Sequence, residues 1–201
     1  GKLVGFTGMR INQARINAKN RLFFYFGQTV IDQDYRGKSL IQSTGIKLLI
    51  QYARQIIFSM AYWWADALSY RPYLIFAKSL DEFYPTHKCP TPVEVKELMH
   101  FIGDHHYGEN YVAANGTITK PAKWVNDKSV SIKELDLDDP DIRFYDMINP
   151  LHTIGHGLLT FAPITIKNVW KLVVRFFGKR VRQQGKRKSE KVFGEVRPTF
   201  F

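Results

Sequence analysis

Cysteine is almost missing from this chain: Cys89 is the only one. A single thiol excludes an internal disulfide framework, leaves no cysteine cluster for a structural zinc site, and points to a reducing, cytoplasmic setting. Acidic residues are also scarce, 18 against 29 Lys and Arg, so the net charge is +11. Such an excess suggests an anionic partner, whether nucleic acid, a membrane surface or a phosphate-bearing small molecule. No apolar run reaches the roughly 20 residues that a membrane-spanning helix needs. The most apolar stretch, Ile46 to Leu68, is interrupted by Lys47, Gln51, Arg54, Gln55 and Asp66. The chain opens Gly-Lys-Leu-Val, with no initiator Met and no signal-peptide pattern, and the expectation is that it begins inside a longer protein. What is present is a composition that folds: 45% hydrophobic and 14% aromatic residues over 201 positions can bury a core, in one large domain or one domain with an elaboration.

The charge is concentrated. Residues 167–201 carry 11 Lys/Arg and 2 Asp/Glu, so nearly all the excess sits in a segment running from Lys167 to Lys191. An acidic run precedes it: Glu134, Asp136, Asp138, Asp139, Asp141 and Asp146. Two arrangements fit, complementary surfaces of one fold or a solvated loop followed by a helix with a basic tail.

Hydrophobic period supplies the elements. Residues 1–11 and 21–31 are short runs rich in aromatic and branched side chains, separated by a polar connection with Asn12, Asn17 and Asn20, and read as two neighbouring antiparallel strands. After Asp32 the period changes: Ile41, Gly45, Leu48, Leu49, Tyr52 and Ile56 share one face of a helix. Ile57 to Ala65 is uniformly apolar, as a buried strand is, with Tyr62, Trp63 and Trp64 as core and pocket wall. A helix capped by Ser69, with Pro72 in its first turn, continues through Leu80. Further on, Pro92 to Ile102 reads as a helix. Asn115-Gly116 reads as a hairpin turn, Leu158 to Ile166 as a strand, and Ile166 to Val181 as a basic helix with Trp170, Val173, Val174 and Phe177 along one side.

The turn Arg36-Gly37-Lys38-Ser39 joins a strand to a helix. A helix N-terminus reached through such a turn offers free backbone N–H groups and a favourable dipole to an anion, and Arg36 and Lys38 add charge; an ordinary capped helix start has the same look. Here the chain resembles the GNAT-type N-acyltransferase superfamily, whose pyrophosphate motif is Arg/Gln-x-x-Gly-x-Gly/Ala after a strand. Arg36 stands at its first position, Ser39 replaces the first glycine and Ile41 the final Gly/Ala. The family's next helix opens with Asn-x-x-Ala and carries a Tyr; Ser69, Pro72 and Phe76 stand at those positions. Over nearly the whole length, Ser69-Tyr70-Arg71, Phe83-Tyr84-Pro85, Asp139-Pro140-Asp141 and Asn149-Pro150-x-His152 are similar to a group of uncharacterised bacterial GNAT-like proteins.

The resemblance implies an α/β (α+β) fold: a mixed, mostly antiparallel sheet flanked by helices, its two cofactor strands splayed beside the helix that begins near Ser39. Residues 1–85 would form the later part of that fold as the acyl-CoA-binding core, and residues 86–201 a C-terminal elaboration. The family's opening strand and two helices have no counterpart before Gly1, so the usual N-terminal part is expected to be missing. The resemblance further implies acyl transfer from acetyl-CoA or a longer acyl-CoA to an amine or other nucleophile. Val30 and Ile31 would pair with the pantetheine arm, and Arg36, Gly37, Lys38, Ser39, Leu40 and Ile41 would hold the pyrophosphate. Phe76 cannot donate a proton, so Tyr73, three residues earlier on the helix, is the candidate acid.

Other candidates carry less. His152 and His156 have a metal-compatible spacing, but Pro150, Gly155 and Gly157 argue for a loop, and no metal site is assigned. Asp104-His105-His106 reads as a polar helix end, and Cys89, flanked by prolines, as an ordinary thiol. The competing function is a non-catalytic interaction module, with the basic amphipathic segment Lys167 to Lys191 docking on an anionic membrane surface, preferred over nucleic acid, so that the protein is peripheral at a membrane. The alternative for that helix is that its apolar side packs on the core.

Overall fold

The computed structural model describes residues 2–35, 38, 40–120 and 131–178. It is a mixed α/β fold: one open six-stranded sheet, mostly antiparallel, with helices on both faces. The strands are β1 (Gly5–Ile16), β2 (Lys19–Ile31), β3 (Met60–Ala67), β4 (Tyr111–Val112), β5 (Thr117–Ile118) and β6 (Gly157–Pro163). Their order across the sheet is β1-β2-β3-β6-β5-β4, and β2 with β3 is the parallel pair. The helices are α1 (Leu40–Gln51), α2 (Ala53–Ile57), α3 (Tyr70–Ser79), α4 (Val93–Tyr107) and α5 (Pro140–Ile148); residues 166–178, here α6, are also helical. No helix among the described residues is long and apolar enough to cross a membrane.

The first two strands are longer than their apolar runs. Their connection is only Asn17-Ala18, both at positive φ (51° and 61°), in a two-residue hairpin with Ile16 opposite Lys19. The intervening polar residues are strand after all: Ala14 and Ile16 pack inward while Gln13 and Arg15 face solvent, the alternation of a half-buried outer strand.

β3 is buried on both faces, which explains its lack of alternation. Ala61, Trp63, Ala65 and Ala67 face a core built with α3, α5 and α6. Tyr62 and Trp64 face a second core built with α4, where Leu98, Met99 and Ile102 meet Phe23, Leu159 and Phe161. The strand begins at Met60, three residues later than its apolar pattern suggests, because Ile57 ends α2. Likewise the helix expected to run from Ile41 through Ile56 breaks at Tyr52 into α1 and α2, and α4 continues past Ile102 to Tyr107. β6 stops at Pro163; the residues after 85 supply the three strands β4, β5 and β6 to this same sheet.

Ser69 precedes α3, yet its side chain makes no capping bond. α5 does have a side-chain cap: Asp139 accepts from the Asp141 N–H at 2.9 Å, with Pro140 in the first turn. The acidic run therefore includes a helix start, and α3 supplies one of its partners: Lys78 Nζ lies 2.8 Å from Asp139 and 2.7 Å from Asp141, which also pairs with His87 at 3.1 Å. α6 docks through Leu172, Phe176 and the fully buried Asn168. The Asn168 amide accepts from the N–H groups of Asp81 and Glu82 and donates to the carbonyls of Glu82 and Pro163.

Candidate functional site: a splayed strand pair over an apolar cavity

The parallel ladder between β2 and β3 runs from Arg21 opposite Met60 to Tyr25 opposite Trp64, and there it ends, although both strands continue. The cause lies on the other side of β2. Against β1, Phe26 pairs with Met9 but Thr29 pairs with Thr7, so β2 holds one extra residue at Gly27–Gln28. Such a bulge bends its strand and sharpens the local twist, carrying residues 27–31 away from β3. A Cβ at Gly27 would lie 2.5 Å from the Tyr25 ring, so a larger residue there would have to displace that ring.

A cavity of about 610 Å³ occupies the space where the strands part. Its floor is Phe26, Trp63 and Ala65, and its roof is Ile41 and Gly45 of α1 with Pro72, Ile75 and Phe76 of α3. Leu80 and Leu172 close the far end. Polar groups gather at the splay: Gln28, Thr29, Asp66 and Lys120.

Asp66 is the central charge. It follows Trp64 by two positions and so faces α4, and the opening between β2 and β3 also lets it border the cavity. Its carboxylate accepts 2.8 Å hydrogen bonds from Tyr25 Oη and from Tyr107 Oη, and it is ion-paired with Lys120 Nζ. Both acidic and basic side chains are nearly buried, 7% and 13% exposed. Burial pushes the Tyr25 and Tyr107 hydroxyls above the ordinary phenol range, outweighing the hydrogen bond and the Arg10 charge that act the other way at Tyr25, so both phenols remain donors near neutral pH. His106, on the same helix as Tyr107, stacks on Trp64 at 5.0 Å; burial, with Arg10 and His105 charges beside it, lowers its pKa.

The expected site residues divide into three groups. Val30 and Ile41 line the cavity, and Ile31 pairs with Gly5 at the end of the splayed strand. Lys38 stands just before α1 and Leu40 is its first residue; the Lys38 ammonium lies 4.0 Å from the Tyr35 ring centre, and Leu40 is exposed. Arg36, Gly37 and Ser39 lie outside the described residues, as does the basic tail from 179 onward. Tyr73 is elsewhere: fully buried, packed against Phe83 and Tyr145, donating to the Pro85 carbonyl at 3.1 Å, and not among the cavity residues. Phe76, at the family's Tyr position, does line the cavity. His152 Nε2 donates to the Asp146 carboxylate at 2.9 Å from a short helical turn, and no group of metal-ligating side chains occurs among the described residues. Cys89 is exposed.

The Asp66 cluster was not legible as a site, because its members stand at 25, 66, 107 and 120. One signal was available: a lone carboxylate in the otherwise apolar strand Met60–Ala67, where burying a charge is costly unless it is partnered. No protein-family model, curated protein or solved structure matches the chain.

Proposed function

We propose that the protein transfers an acyl group from an acyl-coenzyme A to an amine, as a GNAT-like N-acyltransferase. The observation that carries this reading is the bulge-driven parting of β2 from β3 above an apolar cavity, at the C-terminal ends of the sheet's parallel strands and beside the connection that leads from β2 into α1. β3 does not pair with residues 27–30, so that edge of the strand can receive an extended ligand carrying amides, the manner in which a peptide adds to a sheet edge. A pantetheine arm has that chemistry. The start of α1, with Lys38 before it, suits the pyrophosphate.

In this reading the thioester lies at the splay and the amine comes to the side of Asp66. Its carboxylate takes one proton from the ammonium and so frees the lone pair with which nitrogen attacks the thioester carbon; the carbon–sulfur bond then breaks, and the leaving thiolate takes up the second proton that nitrogen sheds, relayed by the Tyr25 or Tyr107 hydroxyl. Most of the acceleration comes from alignment. Titration calorimetry of the full chain with coenzyme A and with acetyl- and lauroyl-coenzyme A tests it: saturable binding of at least one is expected, and no heat with any of them removes the proposal.

A second reading concerns α6, because only part of its apolar surface packs on the core. Leu172 and Phe176 face the core, whereas Ile166 (90% exposed), Trp170, Val174 and Phe177 form an exposed apolar stripe at positions i, i+4, i+8 and i+11. Lys167 adjoins it, and the following sequence to Lys191 is strongly basic. We propose that this stripe lies in the interface of an anionic membrane, the aromatic residues inserted and the basic ones at the headgroups, each worth about 1 kcal/mol near the surface. The two readings are compatible. Vesicles containing phosphatidylserine are expected to float the full chain and to lose it when residues 179–191 are deleted or Trp170 and Phe177 become Ala. Unchanged flotation in both variants sinks the idea, and binding to generic DNA with a steep salt dependence, without flotation, assigns the charges to nucleic acid instead.

A further inference from the structure

The cavity continues well beyond the splay. Its α3 lining extends from Pro72 to Ser79, about 10 Å at the helical rise, and Leu80 follows. Protein interiors leave few voids larger than a water molecule, and a cavity of about 610 Å³ is in the range that ligands occupy. The space is made by small residues at places where large ones would fill it. Among the described side-chain positions of α1, Gly45 alone is fully buried, and a Cβ there would meet only the Phe26 ring, at 3.9 Å. On β3, the small residue Ala65 also lines the cavity.

Polarity is graded along this channel. The splay end carries Asp66, Lys120 and the backbone edge of β2. Beyond it the walls are Phe26, Trp63, Ile75, Phe76, Leu80 and Leu172, with Ser79 the one hydroxyl among the described lining residues of that end. A pantetheine arm contains two amides, which lose hydrogen bonds with water when buried among apolar side chains, so it belongs at the splay. A hydrocarbon loses nothing there. From this geometry we infer that the deep channel is the acyl-chain site, and that the donor is a medium- to long-chain acyl-coenzyme A in preference to acetyl-coenzyme A. The inference rests on the acyl-coenzyme A reading above, and takes it from the coenzyme to the class of acyl group.

Each methylene moved from water into apolar surroundings is expected to tighten binding about fourfold while the channel has room. Calorimetry with acetyl-, octanoyl- and lauroyl-coenzyme A should therefore show a progressive gain, reaching about a hundredfold or more from acetyl to lauroyl. Gly45→Leu and, independently, Ile75→Trp place bulk in the channel; each should remove most of that gain and leave acetyl-coenzyme A binding within about twofold of the parent. Thermal melts identify a variant that has merely unfolded, and the other variant then carries the test. Equal affinity for acetyl and lauroyl thioesters overturns the chain-length inference while the acyl-coenzyme A reading stands. Failure of every thioester to bind overturns that underlying reading. Free laurate binding as tightly as lauroyl-coenzyme A, with no binding of coenzyme A itself, makes the channel a fatty-acid site and overturns the inference as stated.

Discussion

Under the proposed acyl transfer, Asp66→Asn is expected to lower kcat/KM for amine acylation by about a hundredfold or more, the usual scale for losing a positioned proton acceptor, while acyl-coenzyme A affinity stays within a few-fold. Asparagine keeps the shape and one acceptor oxygen for Tyr25 or Tyr107, so the change removes the charge and one of the two accepted hydrogen bonds. It also takes away the carboxylate paired with Lys120, itself 13% exposed, and leaving a nearly buried ammonium without that counter-charge destabilises the fold. Activity must therefore be separated from folding. The double variant Asp66→Asn with Lys120→Met replaces the ion pair by groups that bury without a charge penalty, and its stability should recover toward that of the parent. Its activity should not. If the double variant regains both stability and turnover, Asp66 holds the sheet together and takes no part in the reaction, and the site has to be sought elsewhere along the splay.

How much of this was written in the sequence depends on the range over which each residue acts. Period and composition identified β3 because both its faces are buried, and the Asn115-Gly116 turn because its two-strand hairpin is local: Tyr111 pairs with Ile118 and Val112 with Thr117. The break of α1 at Tyr52 was hidden, since one apolar face continues across it from Leu48 and Leu49 to Ile56. α5 was hidden for the opposite reason. Its opening Asp139-Pro140-Asp141 looks like part of a charge run, and only the capping bond to the Asp141 N–H marks it as a helix start. Tyr73 illustrates the limit of a helical-face argument: it stands three residues from Phe76, but a slight difference in angle sends one ring toward Phe83 and Tyr145 and the other to the cavity. The splay coincides with the extra residue at Gly27–Gln28, a feature that appears only when the pairing of β2 with both neighbours is known.

Trp64→Ala is expected to cost about 3–5 kcal/mol of folding stability, the range for deleting a large buried aromatic side chain. Trp64 is 2% exposed and sits where the α4 core meets the Asp66 cluster. Its ring lies 4.3 Å from that of Tyr25, 5.0 Å from His106 in a stacked arrangement, and 6.5 Å from Tyr107 edge-on. Each such pair adds to the plain burial of area. A domain of this kind has only about 5–15 kcal/mol in total, so the urea midpoint should fall by a large fraction of its value. The same deletion removes the surface against which the two tyrosines that hydrogen-bond Asp66 are held, and acyl transfer, measured under conditions where the variant remains folded, should fall with it. Trp64→Phe keeps an aromatic surface and should lose less than half as much stability while retaining most of the activity. A loss below about 1 kcal/mol for Trp64→Ala, far under the range for a close-packed aromatic, would mean that α4 does not close on β3 in solution, and the hydroxyl of Tyr107 would then not be held at Asp66.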